Sequence, residues 1–350
     1  MRDGIHHHDA VTKHLKTGKL FLYRPLVPHF PFTFNMSMTI TRYKDTQQPE
    51  WDEFIQSAKN SHFFFLRHYM DYHRDRFTDH SLMVYDEKDR LLTVLPANEA
   101  DGKLVSHGGL TYGGFITDER MRTAMMLDVF EHLLVYLKEQ TISSAIYKPL
   151  PYIFHTLPAQ EDHYALFRLG AQLFRRDLNT VIIPSADVPF QDRRHRSRKK
   201  AQKAGAVVTP STDYPAFWSI LTENLKTAHD LTPAHTVDEM ILLQSRFPDQ
   251  IKLFAVFVEE EIVAGTVIYE NPLVTHAQYI GSSDLGQAIS ALDLLFWQLI
   301  TQAYYDKPYF SFGVSTESGG RYLNKGLAEF KEGFGGRTIL HDFYELPVKA

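Results

Sequence analysis

The chain has no cysteine in 350 residues, which excludes disulfides, thiolate nucleophiles, iron–sulfur clusters and every cysteine-bearing zinc site. It also lacks a run of 18 or more apolar residues. The nearest candidate, from Ala291 to Tyr305, is interrupted by Asp293 and is too short to span a bilayer. The first residues, MRDGIHHHDA, carry charge but no apolar stretch behind them, so no signal peptide is expected. Excess positive charge is missing too. The net charge is −5, so nothing global draws the chain onto DNA or an acidic membrane, and any anion-binding surface must be local. Together these absences point to a soluble cytoplasmic protein without membrane insertion.

What is present is ordinary globular material: 44% hydrophobic and 23% charged residues, enough apolar mass to exclude disorder as the main state. The length fits two domains. Residues 1–37 read as a flexible N-terminal extension, with Pro25, Pro28, Pro31 and the run His6-His7-His8, which is most simply an exposed tail. The 18 histidines invite a metal hypothesis. However, His68 and His73, and likewise His229 and His235, miss the i, i+4 spacing that sets two ligands on one helix face, so no metal site is expected.

Helix-period and strand-period patterns alternate along the chain in an order that occurs twice. In the first half a strand at Thr39–Tyr43 precedes a helix from Pro49 and a second helix from Phe63 to Phe77. A hairpin follows (Ser81–Tyr85 and Leu91–Ala97), then a strand within Lys103–Ile116 and a long helix over Glu119–Lys138. A strand at Ser144–Tyr147, a helix near Glu161–Arg168 and a strand at Gln172–Ile183 complete the half. The second half repeats the order from Ala206 to Tyr344, at an offset of roughly 168 residues. The fold class read from this is α/β with mixed sheets, in two copies of one unit.

A strand, two helices, an antiparallel meander, a helix and a crossing strand resembles the GNAT acyltransferase unit. Two in tandem with a basic helical segment between them resemble the FemAB-like N-acyltransferases. Three local motifs carry the resemblance. They are Gly265-Thr-Val-Ile-Tyr-Glu270 followed by His276-Ala-Gln-Tyr-Ile-Gly-Ser-Ser283, then Tyr309-Phe-Ser-Phe-Gly-Val-Ser-Thr-Glu317, and then Phe330-Lys-Glu-Gly-Phe-Gly335, which is similar to an F-K-x-x-F-G ending. The resemblance implies an acceptor-binding domain over 38–190, a basic junction over 191–205, and a donor-binding, catalytic domain over 206–350. It also implies acyl transfer from acyl-CoA, acetyl-CoA first, to an amine on a nucleotide-linked or lipid-linked amino sugar of the cell envelope. Aminoacyl transfer from charged tRNA is the alternative, and a non-catalytic binding protein with degenerate clefts is the second.

Acyl transfer to an amine needs a base and a cleft for an extended donor. His276 is the candidate base, because an unperturbed histidine titrates near neutrality; a hydrogen-bonded strand histidine is the plainer reading. Glu270 and Glu317, at strand ends beside the expected cleft, are the other catalytic candidates, against the plainer reading of caps or surface charges. Strict alternation places His276, Gln278 and Ile280 on one face of their strand and Ala277, Tyr279 and Gly281 on the other. Donor contacts are expected from Tyr279, Ser282, Ser283, Gly286 and Gln287, although this loop keeps little of the glycine pattern that cradles a pyrophosphate and carries Asp284. Acceptor contacts are expected from His107 and Tyr112 in the glycine-rich run Ser106–Gly114, where a ligand or a tight turn would equally explain the glycines. Further acceptor contacts are expected from Arg193, Arg196 and Lys200 in a segment holding seven Arg/Lys residues, whose plainer reading is a solvated helix face.

Overall fold

The computed structural model describes residues 36–349 except Asp187 and Asp230, so the proline-bearing extension and its histidine run lie outside the described residues. The first half comprises β1 (Met38–Arg42), α1 (Gln48–Ser57), α2 (Arg67–Met70), β2 (Thr78–Asp79), β3 (Leu82–Asp86), β4 (Leu91–Leu95), β5 (Asn98–Ala100), β6 (Lys103–Val105), β7 (Ile116–Thr117), α3 (Thr123–Glu139), β8 (Ser144–Tyr147), α4 (Glu161–Arg168) and β9 (Gln172–Ile182). The basic segment is α5 (Asp192–Lys203). The second half comprises β10 (Val207–Ser211), α6 (Tyr214–His229), α7 (Val237–Arg246), β11 (Ile251–Val258), β12 (Glu261–Glu270), β13 (Val274–Ser282), α8 (Asp284–Ile289), α9 (Ala291–Gln298), β14 (Tyr309–Val314), β15 (Thr316–Glu317), β16 (Tyr322–Leu323), α10 (Lys325–Glu332) and β17 (Arg337–Pro347).

Local sequence accounts for these boundaries. Helix α3 buries Met126, Val129, Phe130, Leu133 and Leu137, the one-face spacing of an amphipathic helix. Helix α7 starts at a reciprocal cap, with Thr236 Oγ1 accepting from Glu239 N and Thr236 N donating to the Glu239 carboxylate. The helix expected from Phe63 to Phe77 is broken into a 3-10 turn at Phe63–Phe65, α2, and a second 3-10 turn at Asp71–His73. Three consecutive phenylalanines, all buried, cannot share one face of an α-helix. The long helix expected after β13 is likewise divided at Ser290, which adopts φ +64°, and ends in a π turn at Leu299–Ala303.

One sheet of 11 strands crosses both halves in the order β10-β11-β12-β13-β14-β9-β17-β8-β6-β5-β2, and β1-β3-β4-β7 form a second sheet. The halves exchange their last strands. Strand β9, the end of the first half, lies against β14 of the second, and β17, the end of the second, lies against β8 of the first. Between them β9 and β17 pair antiparallel over Arg337–Glu345, and Arg176 grips Asp342 through two parallel hydrogen bonds of 2.6 and 2.8 Å.

The two halves also differ where they should correspond. In the second half, continuous β13 pairs with β12 along its length and with β14 at its start. In the first half that role is split, since β6 pairs with β8 while β7 pairs with β4. The intervening run Ser106–Phe115 fills the gap. Lys148 Nζ donates to the carbonyls of His107 (2.6 Å) and Leu110 (2.5 Å), and Gly113 N donates to Lys148 O. A Cβ on Gly113 would sit 2.3 Å from Ser106 O, so this glycine serves close backbone packing. The first half therefore carries a plug where the second half carries an open fork.

Candidate active site

Strands β13 and β14 run parallel only from Val274–His276 against Tyr309–Ser311 and then part. Two local features open this fork. Opposite Val267–Ile268 the register of β13 jumps from Tyr279 to Ala277, leaving Gln278 as a bulge. In β14, Gly313 adopts φ +73°, where a Cβ would lie 3.2 Å from His276 Cε1 and 3.8 Å from Nε2. The bulge also corrects the expected alternation, because it shifts the parity of β13. Val274 and Tyr279 join the core shared with α6 and α7, while Ala277 and Ile280 face the core around α9. Beyond the fork, the edge of β13 that faced β14 has no strand partner among the described residues.

His276 stands at the apex of this fork, 7% exposed. Its Nδ1 lies 3.0 Å from Ser311 Oγ, and Ser311 Oγ donates to Asn179 Oδ1 at 3.2 Å while accepting from Gly313 N at 3.3 Å. A hydroxyl has one proton. Spent on Asn179, it leaves Ser311 to accept from an Nδ1–H of His276, so Nε2 carries the lone pair. Nε2 makes no hydrogen bond among the described residues and borders Gly313. Burial, and then the positive charge of Lys331, push the His276 pKa down to about 4, so the ring is neutral at pH 7. Lys331, second in the Phe-Lys-Glu-Gly-Phe-Gly motif, is buried with its Nζ donating to the carbonyls of Gly313 (3.1 Å) and Val314 (2.5 Å), and burial lowers its pKa to about 7. On the far side of Asn179 lies the hydroxyl of Tyr112.

The expected catalytic residues are not gathered together. Glu270 closes β12, with its carboxylate 2.7 Å from Lys252 Nζ and 3.0 Å from Lys307 Nζ. Burial raises its pKa, but the hydrogen bonds and charges of the two lysines outweigh this and hold it below the ordinary range, which makes it a structural anion. Glu317 is exposed on the β15–β16 ribbon and accepts a hydrogen bond from Asn324 Nδ2. Tyr279 is buried against Trp218, its hydroxyl 2.5 Å from His235 Nδ1, and its pKa is raised by burial; it does not line the fork.

The loop Ser282–Gln287 follows β13, and four of its six backbone amides are engaged. Ser282 N donates to Asn224 Oδ1, Ser283 N to Val263 O, Gly286 N to Ser283 Oγ and Gln287 N to Ser283 O. A Cβ on Gly286 would meet Val263 O at 2.2 Å, so this glycine serves packing, and Asp284 is exposed in the first turn of α8. The amides of Asp284 and Leu285, in the first turn of α8, form no hydrogen bond among the described residues.

Among the expected acceptor residues, His107 and Tyr112 are buried within the plug and its surroundings. His107 (φ +47°) stacks on His73 at 5.1 Å, and Tyr112 packs on His341 at 4.9 Å and Phe154 at 5.1 Å. Arg193, Arg196 and Lys200 are exposed along one stripe of α5 and form no ion pair among the described residues. Their neighbour Arg194 is the buried one, bonded to Asp293 Oδ1 at 2.9 Å and lying over Phe330 at 4.5 Å.

Asn179, Ser311, Gly313 and Lys331 were not singled out in sequence. A polar residue interrupting an apolar strand, as in Leu178-Asn-Thr-Val-Ile182 and Tyr309-Phe-Ser-Phe-Gly313, was the available signal. A cavity of about 580 Å³ lies between the halves, bounded by Ile55, His62, Phe63, Phe154, Asn271 and Lys307 among others. Its wall at His62, 2.8 Å from the Asn271 amide, adjoins His276.

Among solved structures, FemX is similar over 88% of this chain and 97% of its own, with TM-score 0.62 and 10% identity. A tandem GNAT protein from the clavulanic acid biosynthesis pathway is similar over 90% and 99%, with TM-score 0.51 and 9% identity. The fold is the tandem GNAT fold. L-PGS from Bacillus licheniformis shares it over 88% of this chain and 93% of its own, with TM-score 0.57 and 12% identity. No family model matches the sequence, and no curated protein matches it. Within the tandem GNAT fold, the open fork of the second unit and the plugged one of the first set the functional question.

Proposed function

We propose that this chain is an N-acyltransferase of the cytoplasm that moves an acyl group from an activated ester to an amine at the β13–β14 fork. The observation that carries the reading is the His276 Nε2 lone pair, fixed through Ser311 and facing the opening at Gly313. An extended donor can add its backbone to the unpaired edge of β13, which offers amide hydrogen bonds without a preformed pocket. The acceptor nitrogen attacks the donor carbonyl, and the tetrahedral adduct carries an acidic N–H. A neutral imidazole of depressed basicity suffices to take that proton, after which the adduct expels the carrier oxygen.

The loop Ser282–Gln287, with most of its amides engaged and Asp284 exposed beside them, favours charged tRNA as the carrier, and the exposed arginine and lysine stripe of α5 supports a polyanionic partner. The FemX neighbour and the L-PGS neighbour are consistent with that carrier. Acetyl-CoA is the second reading, favoured by the open β13 edge and by the similarity to the tandem GNAT protein of the clavulanic acid biosynthesis pathway. The acceptor is an amine of an anionic envelope precursor, a nucleotide-linked or lipid-linked amino sugar, entering from the cavity between the halves.

The test is transfer from labelled aminoacyl-tRNA and from acetyl-CoA to a panel of UDP-amino sugars and lipid-linked sugars. His276→Gln should lower turnover by roughly 10²–10⁴-fold, the range for a positioned general base. Turnover unaffected by that substitution would remove His276 from the chemistry. Consumption of neither donor would leave a binding protein.

A further inference from the structure

We infer that Asn179 is a positioning residue for His276: delivered on the exchanged strand β9, it holds the imidazole through Ser311 in its Nδ1–H form, so that the lone pair at Nε2 faces the fork. The inference rests on the reading of His276 as the base and adds to it a residue from the other half of the chain.

The engaged atom of Asn179 is Oδ1, which accepts from Ser311 Oγ at 3.2 Å. Asn179 and Ser311 are each fully buried. Strand β14 bulges against β9: Val181 faces Ser311 and Asn179 faces Val314, so Phe312 and Gly313 together stand opposite Thr180. Across that bulge the Asn179 amide oxygen meets the Ser311 hydroxyl. Ser311 Oγ then has three partners: it accepts from Gly313 N, donates to Asn179 Oδ1, and faces His276 Nδ1. With its proton given to Asn179 and one lone pair given to Gly313, only an acceptor site remains toward the ring. A neutral imidazole in water favours the proton on Nε2, so holding it on Nδ1 requires such a fixed acceptor. Without Asn179, the Ser311 proton is free to turn toward Nδ1, the imidazole proton moves to Nε2, and the nitrogen facing the fork becomes a donor that cannot take a proton.

Other charged or titratable groups facing the ring do not supply this orientation. Lys331 bonds the carbonyls of Gly313 and Val314, and His62 is neutral and engaged with Asn271 and Phe64 N. Lys331 lowers the basicity of the ring through space, and neither group bonds it.

The test reads the tautomer directly on the full chain, without a substrate. Protein labelled with ¹⁵N in its histidine rings gives long-range ¹H–¹⁵N correlations that separate Nδ1–H from Nε2–H rings, and His276→Gln assigns the signal by its loss. The expected result is an Nδ1–H ring at position 276 at pH 7, converted to Nε2–H in Asn179→Leu and in Ser311→Ala. It should be retained in Asn179→Asp, whose carboxylate still accepts from Ser311. Ser311→Ala removes only one oxygen and serves if Asn179→Leu fails to fold. An Nε2–H ring in the unmodified protein overturns the inference, and so does an Nδ1–H ring that survives both Asn179→Leu and Ser311→Ala. Turnover that persists in His276→Gln overturns the base assignment alone and leaves the tautomer result standing.

Discussion

At the scale of single residues, the fork is organised by a short chain of buried polar groups, from Asn179 through Ser311 to His276. His276 is held neutral chiefly by burial, and the Lys331 ammonium adds to the effect. The two groups titrate in separate ranges: Lys331, pushed down to about 7, is charged across the window where His276, pushed down to about 4, takes its proton. Replacing Lys331 with Met removes a positive charge from the neighbourhood, so the His276 pKa should rise while burial keeps it below its ordinary value. Titration of the His276 ring signal by NMR measures this directly, and an unmoved midpoint would mean that the lysine charge is spent on the Gly313 and Val314 carbonyls without reaching the ring. The residues at this scale were only partly legible in sequence. His276 was visible as a histidine in a strand beside a meander. Asn179 was not, because nothing in the sequence of β9 says which strand lies beside it.

Among the elements, α5 shows how one helix divides its charges by face. Arg194 and Arg198 turn inward, onto Asp293 with Phe330 and onto Trp297 respectively, so α5 lies alongside α9 and points the same way. Arg193, Arg196 and Lys200 turn outward at helical spacing. The sequence signal was the density of the run, and periodicity alone could not choose which arginine would be buried. Removing Arg194 leaves Asp293 buried without its partner, so Arg194→Ala should destabilise the chain by about 3–5 kcal/mol, the usual cost of breaking a buried pair. Changing Arg193, Arg196 and Lys200 together to Glu should leave stability within about 0.5 kcal/mol, as for surface positions. If the stripe binds the phosphates of tRNA or a UDP-amino sugar as proposed, the same triple change should weaken that binding by at least about tenfold, since it turns three cations into anions. Denaturation curves and calorimetric binding separate the two outcomes. Equal binding by the triple variant would reduce the stripe to a solvated face.

The whole molecule is governed by the exchange of β9 and β17, and this was the part least legible in sequence. Two repeats of similar length read the same whether each keeps its last strand or gives it to the other, since period-2 alternation identifies a strand and says nothing of its neighbours. The elements themselves were legible because their apolar spacing is dictated by the faces they bury, as in α3 and α9. The exchange carries a consequence for unfolding. With β9 and β17 at the centre of the large sheet, neither half can lose its order without opening the other, so a single cooperative transition is expected.

Acid should drive that transition. His107 and His341 near the centre have pKa values pushed down by burial to about 3, and His235 and His276 to about 4. Each binds its proton near 6.5 once unfolded, so the unfolded chain takes up more protons over that interval, and stability present above pH 6.5 is lost as the pH falls toward 4. At about 1.4 kcal/mol per pKa unit, four such groups remove stability by roughly 5–6 kcal/mol per pH unit below 6.5, enough to cancel the 5–15 kcal/mol that holds a typical domain folded, which sets the expected midpoint between about pH 4 and 6. His341→Leu tests the cause, because the ring makes no hydrogen bond among the described residues and Nε2 is a buried atom without a partner. It should lower the acid midpoint and reduce the proton uptake on unfolding by about one. A midpoint that stays in place would assign acid unfolding to the carboxylate pairs, Arg176–Asp342 across the exchanged strands first among them.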